Sequence, residues 1–343
     1  MLLFDTSGIK AWVTEKNPKY ANRIIRQLKA FKKSKGLDDS YDPYKAAYGS
    51  MPSHAASNPT IQQMYLNGHF CYTFKFGIVT NGQGIVRDIS FYNKEFLVAH
   101  PEIIAGKKSG SPDEDKSLAD SKALIPMLKD FFRKHPPVNP KTFLGDAAFD
   151  SIEIYKYLLK DTSIEKAYIP LNGRISLPDA GCPLNEDGLP CCPKDPSLPM
   201  KQEGSKSHLR CGLPTMKFVC PKIKWEYNKE TGKSRRVCHC ENPCTDSSCG
   251  RMFCIYPEKN LRAYPGTLWG TQEWNSTYKT RGNVEKSIHH FKDSFRVAGR
   301  KTQNEKTLHA DLLPAAITQL ITVMVADKIH KHKYIRSLKP LIA

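Results

Sequence analysis

Apolar and polar positions along this chain change period several times, and each change predicts an element. Leu2-Leu3-Phe4 is an apolar run closed by Asp5 and Thr6, the pattern of a short buried strand that delivers a carboxylate at its end. Residues 15–35 return apolar side chains at helical spacing among many basic ones, which predicts a basic amphipathic helix. The stretch from Gly36 to Pro59 is rich in Asp, Ser, Pro and Gly and reads as an irregular connection. His69 to Thr80 is aromatic and β-branched, Asn81-Gly82 is a hairpin turn, and Gly84 to Tyr92 returns. With the Asp5 strand this gives three strands expected to be adjacent and antiparallel. Lys107 to Lys116 reads as a polar loop, and Ser117 to Lys134 as a helix carried by Leu118, Leu124, Leu128, Phe131 and Phe132.

Thr142-Phe143-Leu144 repeats the opening theme, an apolar strand followed by Gly145 and Asp146. Ser151 is then a good N-cap for a helix through Leu159, and Ala167 to Pro170 is a further short strand. Strands and helices in this order predict a mixed α/β fold, with carboxylates at the ends of the first and fourth strands. From about Leu171 to Gly266 Pro, Cys, Gly and Lys dominate and periodicity disappears, so this stretch reads as an inserted module, mainly β and loop. Helical spacing resumes near Thr271, a last apolar helix covers Leu308 to Ile329, and a basic tail closes the chain. The expected organisation is therefore 1–170 and 266–343 as two parts of one core, interrupted by 171–265.

The stretch Thr277 to Lys292, TYKTRGNVEKSIHHFK, organises the rest. On a continuous α-helix Tyr278, Arg281, Glu285 and Lys292 fall at roughly 0°, 300°, 340° and 320°, one polar stripe. Val284, Ile288, Phe291 and Phe295 form an apolar stripe beside it. A carboxylate flanked by two cations and a phenol is ordinary on a solvated helix face. It gains chemical meaning beside the strand-borne Asp5 and Asp146.

Charge narrows the partners. The chain has 343 residues, enough for one large domain or two ordinary ones, and 52 Lys and Arg against 34 Asp and Glu give +18 at neutral pH. Residues 10–35 carry nine basic side chains and one acidic, and residues 277–343 thirteen and five, which points to folded surfaces that track a polyanion. There is no uninterrupted apolar run of 18 residues and no basic segment ahead of a long apolar one at the amino terminus, so the expectation is no membrane and a cytoplasmic protein. Ten of the eleven cysteines lie between Cys182 and Cys254. In a reducing compartment such a cluster reads as a structural zinc site, with Cys238, Cys240, Cys249 and Cys254 as candidate ligands, or as unliganded thiols packed in a loop-rich insert.

Phosphoryl transfer on DNA without a covalent enzyme intermediate needs two divalent cations about 3.5–4 Å apart, one at the attacking oxygen and one at the leaving oxygen. Mg²⁺ or Mn²⁺ takes carboxylate oxygen, so Asp5, Asp146 and Glu285 are the candidate metal ligands, with Tyr278, Arg281 and Lys292 as candidate phosphate contacts. Here the chain resembles a known family. The Asp5–Asp146–Glu285 set looks like the DDE triad of ribonuclease-H-like transposases. The Tyr278–Arg281–Glu285–Lys292 spacing is similar to the YREK signature of the bacterial insertion-sequence family numbered four, with DTSGIKAWV, GDAAFD and RGNVEKSIHHFK as the motif-bearing segments.

The resemblance implies a DNA transposase that binds transposon ends and target duplex and acts as a homodimer assembled on DNA, in the bacterial cytoplasm at the nucleoid. The 139 residues from Asp146 to Glu285 leave room for the inserted β region that the resemblance implies. The family places a helical end-binding region ahead of the first Asp. Asp5 stands almost at the terminus, so the resemblance implies a chain lacking that region. Asp150 is an alternative to Asp146 as the second carboxylate. His69, His289 and His290 read as surface or structural residues, and Trp269 and Trp274 as core residues rather than wedges into DNA. The rival readings are a structure-selective nuclease and an inactive DNA-binding remnant.

Overall fold

The computed structural model describes residues 1–16, 18–66, 69–104, 118–173, 175–177, 180–186, 188–203, 215–258, 260–299, 302–337 and 339–342. The predicted loop Lys107–Lys116, Cys211 and the side chain of His69 lie outside what is described. The order of elements is mixed α/β. In chain order the first stretch holds β1 (Leu2–Lys10), α1 (Pro18–Lys35), α2 (Pro43–Ser50), β2 (Gln62–Leu66), β3 (His69–Asn81), β4 (Val86–Phe91), α3 (Lys94–Ala99) and α4 (Asp120–Lys134). Next come β5 (Thr142–Leu144), α5 (Ile152–Lys160), β6 (Lys166–Tyr168), β7 (Lys201–Gln202), β8 (Met216–Val219), β9 (Ile223–Asn228), β10 (Lys233–Cys238), β11 (Met252–Ile255) and α6 (Gln272–Tyr278). Last are α7 (Gly282–His289), α8 (Glu305–Lys328) and α9 (Lys339–Ile342).

Packing divides the chain into two compact units. An outer unit joins Leu2–Val138 to Arg281–Ala343, and a central unit comprises Asn139–Thr280 with Met1. These limits differ from the composition changes at 171 and 265, because a shift in residue usage marks where regular periodicity ends and not which elements share a core.

In the outer unit β3 is the organising strand. It pairs antiparallel with β1 from Leu2↔Asn81 to Lys10↔Thr73, and also pairs with β2 and β4. The expected three antiparallel strands are there, and β2 is a fourth. Strand β1 runs five residues beyond Asp5, so Asp5 lies mid-strand opposite Ile78 instead of at a strand end. Ser7 and Ile9 prolong it, with Ile9 buried. The core contains Leu3, Phe4, Phe76, Ile78, Leu124, Leu128 and Phe131. Helix α2 replaces the middle of the predicted irregular connection. Asp42 Oδ1 accepts from Tyr44 N at 2.8 Å and Pro43 occupies the first helical position, a start signal that the polar composition hid.

Helix α8 begins three residues before the predicted start, with Asn304 Oδ1 accepting from Lys306 N at 2.9 Å as its cap. It buries Leu308, Leu312, Ala315, Gln319, Thr322 and Ala326, one side of the helix. Its 24 residues are long and apolar enough to cross a membrane by length and composition. The expectation of no such segment rested on uninterrupted apolar runs, which Thr318, Gln319 and Thr322 break.

In the central unit β5 and β6 are parallel, with α5 in the connection between them. Ser151 caps α5 as expected, its Oγ accepting from Ile154 N at 3.3 Å. Strands β7, β8 and β11 form a small antiparallel sheet over a core of Ala180, Met200, Phe218, Ile255 and Ala263. Strands β9 and β10 form a separate two-stranded ribbon. Among its described residues the stretch 171–265 is β and loop.

Candidate active site

Helix α7 and β1 bring the outer unit's charged residues together. Arg281 Nη2 donates to Asp5 Oδ2 at 3.2 Å, and Arg281 Nη1 makes a short contact with Glu285 Oε1. One guanidinium therefore spans a strand carboxylate and a helix carboxylate 280 positions apart in sequence. The asymmetry of burial matters: the Arg281 and Asp5 side chains are 11 % and 17 % exposed, whereas that of Glu285 is 58 % exposed. The Asp5 contact is therefore the less screened of the two. Asp5 Oδ1 also accepts from Thr6 N at 2.8 Å, which fixes the carboxylate's orientation.

Local packing explains why α7 stands there. Val284, Ser287, Ile288 and the following Phe291 are buried. Asn283 Nδ2 donates to Gly82 O at 2.8 Å, and Arg336 Nη1 donates to Asn283 Oδ1 at 3.1 Å. Gly84 has φ of +75°, and a Cβ there would collide with the Asn283 carbonyl oxygen, so the hairpin after β3 can approach α7 only as glycine. Gln319 of α8 accepts from Val86 N at 2.8 Å and closes the same corner.

The continuous helix expected from Thr277 to Lys292 is interrupted. After α6 the chain forms a 3₁₀ turn at Lys279–Arg281, continues as α7, and widens into a π turn at His290–Ser294. Gly282 and Asn283 are weak helix formers where the first change occurs. The uniform angular stripe drawn from the sequence therefore does not hold across both joints. Arg281 and Glu285 remain an i, i+4 pair. Lys292 lies on the π turn, where burial lowers its pKa while Asp293 and Asp5 act to raise it and Lys10 to lower it. Lys292 is thus in electrostatic reach of Asp5.

The central unit holds the other two predicted residues. Asp146 follows β5 at the start of a 3₁₀ turn, half-exposed. Gly145 before it is boxed in, since a Cβ would lie 2.9 Å from Phe143 and 3.0 Å from Phe149. Tyr278 hydroxyl donates to Gly145 O at 3.4 Å, and its ring stacks on Trp274 with centroids 4.7 Å apart. Tyr278 therefore stands beside the peptide that carries Asp146.

Asp150, the alternative carboxylate, has a different job. It is 2 % exposed and accepts from Arg262 Nε at 3.0 Å, Arg262 Nη2 at 2.7 Å, Tyr155 hydroxyl at 3.1 Å and Asn172 N at 2.8 Å. Its lone pairs are used, and Arg262, itself 7 % exposed, is held protonated chiefly by these hydrogen bonds. Burial first, then the Asp150 charge, drives the Tyr155 pKa upward. Sequence reading missed Arg262, which stands 112 residues from its partner with no local signal.

Asp5 and Glu285 supply hard oxygen donors of the kind Mg²⁺ or Mn²⁺ takes. Arg281 touches both, so a cation already lies between them. Among the described residues no group of three or more His, Cys, Asp or Glu is arranged to hold a metal ion. The expected zinc ligands Cys238, Cys240, Cys249 and Cys254 are accordingly not gathered into one site; Cys254 sits exposed on β11, opposite Lys217 of β8. Other thiols meet instead. Cys220 lies against Cys238 with Cys240 in electrostatic reach, and Cys244 lies against Cys192, with burial the main cause of the raised pKa of Cys220 and of Cys244.

His289 is exposed and pairs with Asp293 at 2.6 Å, while the His290 ring packs on Phe295 with centroids 4.5 Å apart. Burial, then Arg336, lowers the His290 pKa. Trp269 is buried with Nε1 donating to Ile169 O at 3.0 Å, and Trp274 is buried too.

No family model matches this chain, and no curated protein matches it. Among solved structures, the piggyBac transposase synaptic complex with hairpin DNA is similar with a TM-score of 0.31 and 12 % identity, over 88 % of this chain and 52 % of that one. The chain thus spans about half the length of that transposase.

Proposed function

We propose that this chain is a DNA-strand phosphoryl transferase of the transposase type on a ribonuclease-H-like fold, acting on transposon ends and target duplex. The observation that carries the reading is Arg281, which joins Asp5 and Glu285, with Lys292 in electrostatic reach. These are four residues that the sequence pattern singles out for one reaction. The net charge of +18 supports a polyanionic partner. In this reading Asp5 and Glu285 would hold divalent Mg²⁺ or Mn²⁺, which would supply water activation and charge neutralisation at the scissile phosphate, and Asp146 is the third carboxylate that the sequence pattern assigns to the reaction. Arg281 moves from the carboxylates to a phosphate oxygen, Lys292 holds a neighbouring phosphate, and Tyr278 donates its hydroxyl to the backbone beside Asp146. A homodimer assembled on DNA, in the bacterial cytoplasm, belongs to the same proposal.

The test is nicking of supercoiled plasmid with Mg²⁺ and with chelator. The expected result is Mg²⁺-dependent nicking that falls at least about a hundredfold in Asp146→Asn and in Glu285→Gln, the scale of removing a metal-borne transition-state contact. Joining of the released 3′ end to a second duplex separates a transposase from a nuclease. Absence of Mg²⁺-dependent nicking by the parent protein, with DNA binding intact, refutes the catalytic reading.

A further inference from the structure

We propose that the β9–β10 ribbon is a stacking platform for unpaired bases of a polynucleotide, a binding site separate from the carboxylate cluster. Cross-strand pairing puts Trp225 opposite Arg236 and Tyr227 opposite Ser234, so the two aromatic rings share one face of the ribbon. Trp225 is 62 % exposed and Tyr227 65 % exposed. Large aromatic side chains left this exposed on a two-stranded ribbon gain no burial in a core, and they are the residue types that anchor binding sites. They stand two positions apart, roughly 6.8 Å along the strand. That is about two base-stacking steps of 3.4 Å, so the two rings can meet alternate bases of a stacked strand.

The charge of the ribbon selects the occupant. Residues 222–236 carry six Lys or Arg against two Glu. Lys222, Lys224, Lys229, Lys233 and Arg235 are exposed. Arg236 pairs with Glu203 and lies 4.8 Å over the Trp225 ring, which holds the indole in place. Glu226 is engaged by His239 at 2.9 Å. Aromatic faces with a phosphate-attracting rim suit a single strand, whose bases are free to stack, better than an acidic peptide or a duplex whose bases already stack on each other. The ribbon is also anchored at its base. Cys238 N donates to Ser248 O at 2.9 Å and His239 N to Lys222 O at 3.1 Å, while a Cβ on Gly250 would sit 3.0 Å from Ile223.

This site stands on its own geometry and does not depend on strand cleavage. The experiment measures anisotropy of labelled oligo(dT), oligo(U) and a mixed-sequence duplex with the full chain, and indole quenching on addition of oligo(dT). Trp225→Ala and Tyr227→Ala should each weaken oligo(dT) binding between about five- and 150-fold, with duplex binding changed less than about twofold. Trp225→Phe and Tyr227→Phe should retain most of the affinity, because a ring remains. Equal affinity for oligo(U) supports stacking without discrimination of the sugar. Single-strand binding unchanged in both Ala variants, or single-strand and duplex binding lost in parallel, overturns the proposal. Glu285→Gln should leave oligo(dT) binding unaltered, so failure of the catalytic reading and failure of this one remain distinguishable.

Discussion

Asp146 and Asp150 stand four residues apart, yet the structure gives them opposite consequences on mutation. Asp150→Ala would leave the Arg262 guanidinium in the interior without its Nε and Nη2 acceptor, and would strip a partner from Tyr155 hydroxyl and Asn172 N. Breaking a buried ion pair by removing one member costs about 3–5 kcal/mol. That is a factor of roughly 150 to 5,000 in the ratio of folded to unfolded protein, at 1.36 kcal/mol per tenfold. Asp146→Ala removes a half-exposed side chain and should cost less than about 1 kcal/mol. Urea unfolding followed by the fluorescence of Trp269, buried in the same unit, measures both. The double replacement Asp150→Leu, Arg262→Met should recover most of the loss, since it leaves no buried charge behind. An Asp150→Ala protein within about 1 kcal/mol of the parent would show the pair to be dispensable, and the assignment of Asp150 as the structural acid would fail.

Three further outcomes are expected. Glu285→Gln should leave duplex binding within about twofold of the parent, whereas Arg281→Ala and Lys292→Ala should weaken it and lower its salt slope by about one each; equal losses in all three would make Glu285 a structural residue. Burial raises the pKa of Tyr72, Tyr92, Tyr155, Tyr157 and Tyr264, that of Tyr157 to about 12. Between pH ~10, the unfolded value, and the raised folded values, the unfolded chain releases more protons. Stability present below pH ~10 should therefore fall as pH rises through this window, with tyrosinate absorbance appearing together with unfolding; early ionisation of all fifteen tyrosines in folded protein contradicts it. Gly84→Ala should destabilise by about 1 kcal/mol or more, through its positive φ and the collision with the Asn283 carbonyl; an unchanged thermal midpoint would show that the hairpin can shift away from α7.

Local pattern made part of this legible. Alternating and β-branched residues around Asn81-Gly82 gave the hairpin its register, and Ser151 marked the start of α5 because a cap acts over three residues. The i, i+4 relation of Arg281 and Glu285 survives any change of helix type outside that turn. What escaped was long-range or geometric. Gln319 meets Val86 across 233 positions and Arg262 meets Asp150 across 112, and neither pairing has a periodic signature. Strand β2 was hidden in a polar stretch, since Gln62 and Gln63 are buried polar side chains where alternation predicts apolar ones. The charge of Asp5 reads as the end of the apolar run, whereas the ladder with β3 continues to Lys10.

The π turn at His290–Ser294 changes how the spacing between Glu285 and Lys292 should be understood. A π turn carries one more residue per hydrogen-bonded loop than an α turn, so it is equivalent to a single-residue insertion absorbed without breaking the helix. The interval from Glu285 to Lys292 then counts residues and does not measure an angle. Deleting one residue among 290–294 would let the segment wind as a regular α-helix, at little cost in backbone hydrogen bonds. Because the turn absorbs the extra residue, side chains after it would keep their phase relative to α7. The number of residues between Glu285 and Lys292 can therefore change by one while the helix face that carries the lysine stays the same.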